Sequence, residues 1–392
     1  MSLRRAETLQ DALQRTSGRS SGFDYLRLGL AVLIICLHGG IASYGAGAQD
    51  RFLATPQGRP FLLLVPMFFS LSGFLVAGSW ERCRTIFAFL GLRVLRIFPA
   101  LSVQVVLSAL VIGPLFTAYS LGAYFGDPLF IRFFWNAVGH TQYALPGVFT
   151  HNPDTAVNGQ LWTVPYELDC YVILAGLALV GVLRRRGLFL AGLAGVQGLL
   201  VVHALFRPHG LTLPLSGQLI GLCFMWGLAL YRFRDRVSWS GAWASLALAV
   251  SLAGLMIPNG KYFVTLPIAY FTVWLGLLNP PRHWLVRSGD YSYGLYVFGY
   301  PVQQALATFP ELRIWWLNIL LGLPCAFAVA FVSWHLIEKR ALAQRGRLMD
   351  LEALLIRSSR RLAHWRPGQS RLDRQSHKSG LAAAEAPKAG VS

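Results

Sequence analysis

Apolar residues run along this chain in long blocks that charge scarcely interrupts. The stretches 28–49, 61–80, 97–118, 188–206, 208–231, 237–260, 262–281, 291–310 and 314–337 contain no Asp, Glu, Lys or Arg. A tenth, 164–183, is broken by acids only at Glu167 and Asp169. About 20 mostly apolar residues cross the hydrocarbon core of a bilayer as a helix. The pattern therefore predicts an all-α integral membrane protein of about ten transmembrane helices. Pro208, Pro214, Pro258-Asn259-Gly260 and Pro280-Pro281 mark turns between blocks. Pro99, Pro301 and Pro324 are expected to start or kink helices, which lipid tolerates.

Composition agrees with the pattern. Charged residues make up 13% of the 392 and hydrophobic ones 55%, against about 25% charged in a soluble domain. Mean hydropathy is +0.49. These values exclude a water-soluble enzyme, and they exclude disorder for the bulk of the chain. Lys and Arg number 35 against 17 Asp and Glu, a net charge of +18. With both termini placed in the cytoplasm, only Arg51, Arg59, Arg132, Arg207, Lys261 and Arg313 fall in outer loops, and the other 29 of the 35 fall inside. Such a split follows the positive-inside rule. The excess charge is thus assigned to a membrane surface, and no nucleic-acid partner is expected. The five cysteines are scattered without metal or redox spacing and read as small buried hydrophobes; no metal site is expected. Residues 1–22 form a polar cytoplasmic segment without signal-peptide character, and 23–340 the membrane domain with no fused soluble domain. The basic tail 341–392 carries Leu348, Leu351, Leu354, Leu355 and Leu362 at the spacing of an interfacial helix, and turns polar and disordered beyond Arg366. The longest outer loop, about 119–160, is rich in aromatics and glycine and could cover a site.

Ionisable groups inside spans are costly, which makes each a functional candidate. Arg27 and His38 are 11 residues apart, close to three helical turns, so they share one face roughly 16 Å apart along the axis. Asp24 can pair with Arg27. An interface ion pair and a buried core histidine are the plainer alternative. Phe68 to Phe74 includes Ser70, Ser72 and Gly73, where packing alone would explain the small residues. Arg93 and Arg96 stand one turn apart before Pro99; topology explains cations there, but two forked guanidiniums also suit phosphate. The densest segment is Asn158 to Tyr171, where Thr163 or Val164 should start a helix with Pro165 in its first turn. Trp162 then sits at the outer interface and Glu167 just inside it. A helix dipole would favour Glu167 there, which is its structural account.

These features, in this order, resemble the acyltransferase-3 family of integral-membrane O-acyltransferases, which acylate nodulation factors, lipopolysaccharide, exopolysaccharide and macrolides. The family's opening Asp-x-x-Arg with a later His matches Asp24, Arg27 and His38. Its Phe-Phe-x-Leu-Ser-Gly-Phe matches Phe68 to Phe74, and its Arg-x-x-Arg matches Arg93 and Arg96. Its Asn-Gly-x-Leu-Trp-x-x-x-x-Glu matches Asn158 to Glu167, with Tyr171 following. Its Ser-Tyr-x-Leu-Tyr and Pro match Ser292 to Tyr296 and Pro301. The chain departs from many members at Leu168, where they have a second acid, and at Gly299, where they have a His.

The resemblance implies a multi-pass protein of a bacterial inner membrane that modifies polysaccharide. It implies no permanently bound cofactor. The co-substrate would be acyl-CoA, above all acetyl-CoA, and the acceptor a glycan or glycolipid hydroxyl, with glycan-biosynthesis proteins as further partners. Arg27, Arg93 and Arg96 would then hold the CoA phosphates. A neutral His38 would act as general base on the acceptor hydroxyl, with Glu167 orienting it or balancing its charge. An acyl-histidine intermediate is the variant mechanism. Asn158 and Tyr166 are candidate oxyanion donors, and Asp24, Ser72, Trp162 and Tyr171 are supporting residues. The rival reading is a transporter or flippase for glycan intermediates, whose buried Arg, His and Glu would line a path. The paired repeats common in transporters are not found by inspection.

Overall fold

The computed structural model describes residues 7–206 and 216–364, with side chains as far as 357. It divides into two compact units, Met1–Gln344 and Arg345–Ser392. Among the described residues the fold is all helical, with two isolated β-bridges and no named strand.

Ten principal helices make up the first unit: α1 (Ser21–Tyr44), α2 (Leu64–Arg82), α3 (Ile86–Leu107), α4 (Val164–Leu179), α5 (Arg186–Phe206), α6 (Gly217–Arg232), α7 (Gly241–Leu255), α8 (Thr265–Leu277), α9 (Ser292–Ala307) and α10 (Trp315–Ser333). Each lies within or beside one of the ten apolar blocks. Among the described residues five helical runs, those beginning at Ser21, Arg59, Ile86, Arg186 and Trp315, are long and apolar enough to cross a membrane. By contrast α4, α6 and α9 have 16 residues each, a rise of roughly 24 Å, short of the ~30 Å core. Their lengths follow from position. Helix α6 is buried along nearly its whole length, α4 continues from the largely buried 3₁₀ turn Gly159–Thr163, and α9 follows the buried Tyr291. Pro99, Pro301 and Pro324 all lie inside helices, in α3, α9 and α10.

Helix α6 packs most extensively on α2, and α9 on α10 and α1. The α2–α6 crossing depends on two glycines. A Cβ at Gly73 would collide with the Phe224 carbonyl oxygen, and one at Gly227 with that of Ser70. Helix α1 starts at Ser20, whose hydroxyl accepts from Gly22 N at 3.2 Å and donates to Leu278 O at 2.9 Å. The chain's start is less plainly polar than its composition suggests. Leu9–Arg15 forms a short helix closed by a Thr8–Asp11 capping box, and Leu9 and Ala12 are buried in the core.

Between α3 and α4 the long loop is built rather than open. Tyr124 donates to Ala109 O at 2.7 Å, and Thr117 to Pro146 O at 2.8 Å. The Asn136 amide donates to Phe133 O and Gln142 O and accepts from Gln142 N, all at 2.8–2.9 Å.

In the second unit, α11 (Arg345–His364) leaves Leu351, Leu354 and Leu355 exposed. The side chain of Leu362, the polar stretch beyond Arg366, the turn at Pro208 and Pro214, and Arg207 lie outside the described residues.

Candidate active site

Helices α1, α2, α3, α4 and α9 enclose a cavity of about 140 Å³. Arg27, His38, Ser72, Arg93, Arg96, Trp162, Thr163, Glu167, Tyr171 and Tyr296 are among the residues that line it. Segments far apart in sequence thus converge on one space. Arg27 and His38 come from one face of α1, as their spacing requires, and the arginines from one face of α3. A 3₁₀ turn, Gly159–Thr163, delivers Trp162 and Thr163 before α4 begins at Val164 with Pro165 in its first turn.

At the arginine end the charges are already shared out. Arg27 Nη2 meets Asp24 at 2.7 Å, and its Nη1 meets Asp290 Oδ2 at 3.1 Å. Arg96 contacts Asp290 at 2.8 Å and Glu338 at 3.6 Å. Asp290 lies in the connection before α9, where Ser292 Oγ also donates to it at 2.6 Å. Burial alone would push the Asp290 carboxyl up, but the guanidiniums of Arg27 and Arg96 outweigh it and hold the group well below the usual carboxylate range. Glu338 arrives on a wide π turn, Trp334–Glu338, at the end of α10. Two free forks at Arg93 and Arg96 are therefore not what the fold provides. Arg93 alone of the three arginines has no carboxylate at ion-pair distance among the described residues. It donates to Ser79 Oγ at 3.0 Å and lies 5.9 Å from the ring centres of Phe89 and Tyr171.

At the other end the imidazole of His38 packs edge-on against Tyr300, with ring centres 5.2 Å apart. Its nitrogens make no hydrogen bond to protein among the described residues. The Tyr300 hydroxyl bonds the Asp154 carboxylate and accepts from Gln304 Nε2 at 3.1 Å. Gln304 also donates to Asp154 O and Ala156 O, and Asn152 donates to Gln304. A buried polar network thus fastens the long loop to α9 directly beside the histidine. Deeper in the wall, Tyr296 donates to Gln160 O at 2.5 Å and lies 2.6 Å from the Thr163 hydroxyl.

The expected pairing of Glu167 with His38 is not formed. Glu167 shares the cavity with Arg93 and Arg96, but its carboxylate accepts from Tyr171 one turn further along α4. Asn158 and Tyr166, the expected oxyanion donors, do not line the cavity. The Asn158 side chain is fully buried and accepts from Gln104 at 2.6 Å; the Tyr166 ring turns outward against Trp162. Asp24 stands behind Arg27 rather than in the wall. Sequence reasoning missed Asp290, Glu338, Tyr300 and Asp154. Asp290 directly precedes the Tyr291-Ser292-Tyr293 run, and Tyr300 directly precedes Pro301, so both were within reach of the motifs.

Together these features define a helical protein with membrane-length apolar helices and a buried cavity that holds arginines, a carboxylate and one unpartnered imidazole. The acyltransferase domain of the acyltransferase-3 family matches residues 20–335, and the chain belongs to that family. It is 26% identical over 350 residues to a protein described as an O-acetyl transferase of Shigella phage Sf6, covering 85% of this chain and 99% of that one. It is 27% identical over 372 residues to nodulation protein 10 of Rhizobium leguminosarum bv. viciae, covering 86% and 97%. No solved structure matches significantly.

Proposed function

We propose that this acyltransferase is an inner-membrane O-acyltransferase that moves an acyl group, acetyl by preference, from cytoplasmic acyl-CoA to a hydroxyl of a cell-surface or exported glycan. The observation that carries the reading is that one cavity holds cations at one end and His38 at the other. Ten crossings with both termini inside put the arginine end toward the cytoplasm, in line with the basic-residue asymmetry, and α11 lies on the inner membrane surface.

The thioester arm enters from the arginine end. Arg93, which has no carboxylate at ion-pair distance among the described residues, is the first of the three to meet a phosphate, and Arg27 and Arg96 follow by exchanging carboxylate contacts for it. The acceptor hydroxyl approaches His38, which takes its proton as the oxygen attacks the thioester carbonyl. The carbon–sulfur bond then breaks, and the His38 imidazolium returns the proton to the CoA sulfur, which leaves as a thiol. Glu167 balances the imidazolium through the field inside the cavity, not by contact. Since neither Asn158 nor Tyr166 reaches the cavity, the oxyanion donor comes from its lining. The Trp162 indole N–H makes no hydrogen bond to protein among the described residues and is the group we assign to it.

Comparing the ester content of surface and exported glycans between wild-type and gene-deleted cells tests this reading. One glycan is expected to lose its ester and to regain it on complementation with wild type but not with His38→Ala. Unchanged esters in all glycans, with transport of a glycan intermediate lost instead, would favour the flippase.

A further inference from the structure

Beside the arginine end, on the far side of Asp290, lies a second and more polar pocket of about 340 Å³. Arg287, Gly289, Trp334 and Lys339 line it, and it shares Ser292 with the wall of the main cavity. Its two acids, Asp24 and Asp290, are committed to guanidiniums: Asp24 to Arg27 and Arg282, Asp290 to Arg27 and Arg96. Its two cations are not committed. Arg287 and Lys339 are exposed and form no ion pair among the described residues. Gly289 lets the Trp334 indole close against the backbone, since a Cβ there would meet its ring nitrogen, and so sets an aromatic wall next to the two cations.

The charge balance differs between the two spaces. In the main cavity Arg27 and Arg96 are matched by three carboxylates, and Arg93 alone is left over. An acyl-CoA carries a pyrophosphate and a 3′-phosphate, more negative charge than one guanidinium can meet. The unmatched positive charge is next door. Resting on the acyl-CoA reading above, we propose that this second pocket receives the nucleotide end of the donor. Its 3′-phosphate lies between Arg287 and Lys339 and its base against Trp334, while the pantetheine arm passes Asp290 into the cavity that leads to His38. Asp290 is then the partition between head and arm, and its bonds to Arg27 and Arg96 are the ones the pyrophosphate displaces.

The test is titration of the full-length protein, in phosphatidylcholine nanodiscs, with CoA and with 3′-dephospho-CoA. Wild type is expected to prefer CoA by about fivefold or more, the scale of two exposed phosphate contacts. The Arg287→Ala/Lys339→Ala double variant is expected to lose that preference while binding dephospho-CoA within about twofold of wild type, which also shows it is folded. Swapping the cations, Arg287→Lys with Lys339→Arg, should restore the preference. A double variant that still discriminates, or that loses both ligands equally, overturns the proposal. So does a variant whose CoA binding is intact but whose binding is no longer strengthened by phosphatidylglycerol, since the cations would then serve a lipid headgroup. If wild type binds neither nucleotide, the acyl-CoA reading itself fails.

Discussion

Among the described residues His38 is held by packing and not by a hydrogen bond, and this sets what can be expected of its neighbours. The Tyr300 ring fixes its orientation and leaves both nitrogens open to a ligand. A carboxylate in contact would have been the expected orienting group, and the spacing of Glu167 suggested one. Spacing along one helix gives depth and face, however, and not which of two neighbouring helices a side chain leans toward. Glu167 bonds Tyr171 on its own helix instead. Its replacement by Gln keeps the bond to Tyr171 but removes a charge from the cavity, so turnover should fall at least about tenfold, measured as ester formed per minute at saturating acetyl-CoA. Asp290 escaped notice because a single acid at the edge of an apolar block reads as a boundary. Asp290→Asn should lower stability by about 1–3 kcal/mol at neutral pH, since it leaves Arg27 and Arg96 facing each other without their shared anion. The sign of its pH dependence follows from the depressed folded-state value. The contribution is complete above the ordinary carboxylate value of about 4 and is lost as pH falls below it. Thermal unfolding from pH 7 down to pH 3 should show the gap between wild type and Asp290→Asn closing at the acid end.

At the scale of helices, the apolar blocks located all ten elements, because a block without charge has no other stable form in lipid. Their lengths were not legible. Composition does not distinguish a helix that faces lipid along 20 residues from a 16-residue helix such as α6, which is covered by α2 and α8. The α2–α6 crossing is the most extensive helix–helix contact of the bundle, and Gly73 stood out in the sequence only as a small residue. Its partner Gly227 did not stand out, because nothing local marks a glycine as one half of a crossing. Gly227→Val must push α6 from the Ser70 carbonyl, at an expected cost of about 1–3 kcal/mol or more. A lowered Tm in detergent, with acetyl-CoA partly restoring it, checks this. An unchanged Tm would mean the two helices part without loss.

Across the whole molecule, the uneven distribution of basic residues gives an orientation that the packing alone does not. Cysteines introduced one at a time into a background without the five native ones should report it. Positions in the loop between α3 and α4, such as the exposed Val138, should react with an impermeant maleimide in intact cells, whereas a position near either terminus should react only after permeabilisation. A terminal position that reacts in intact cells while Val138 reacts only after permeabilisation would reverse the orientation and put the arginine end on the wrong side for a cytoplasmic donor. The central claim, that a thioester entering from the arginine end is attacked at His38, is tested most directly in proteoliposomes. Labelled acetyl-CoA is supplied on the face that carries the termini, and glycan acceptor on the other. Wild type should deposit label as an alkali-labile ester on the acceptor, and His38→Ala should deposit at least about a hundredfold less. Transfer by His38→Ala at the wild-type rate would contradict the account.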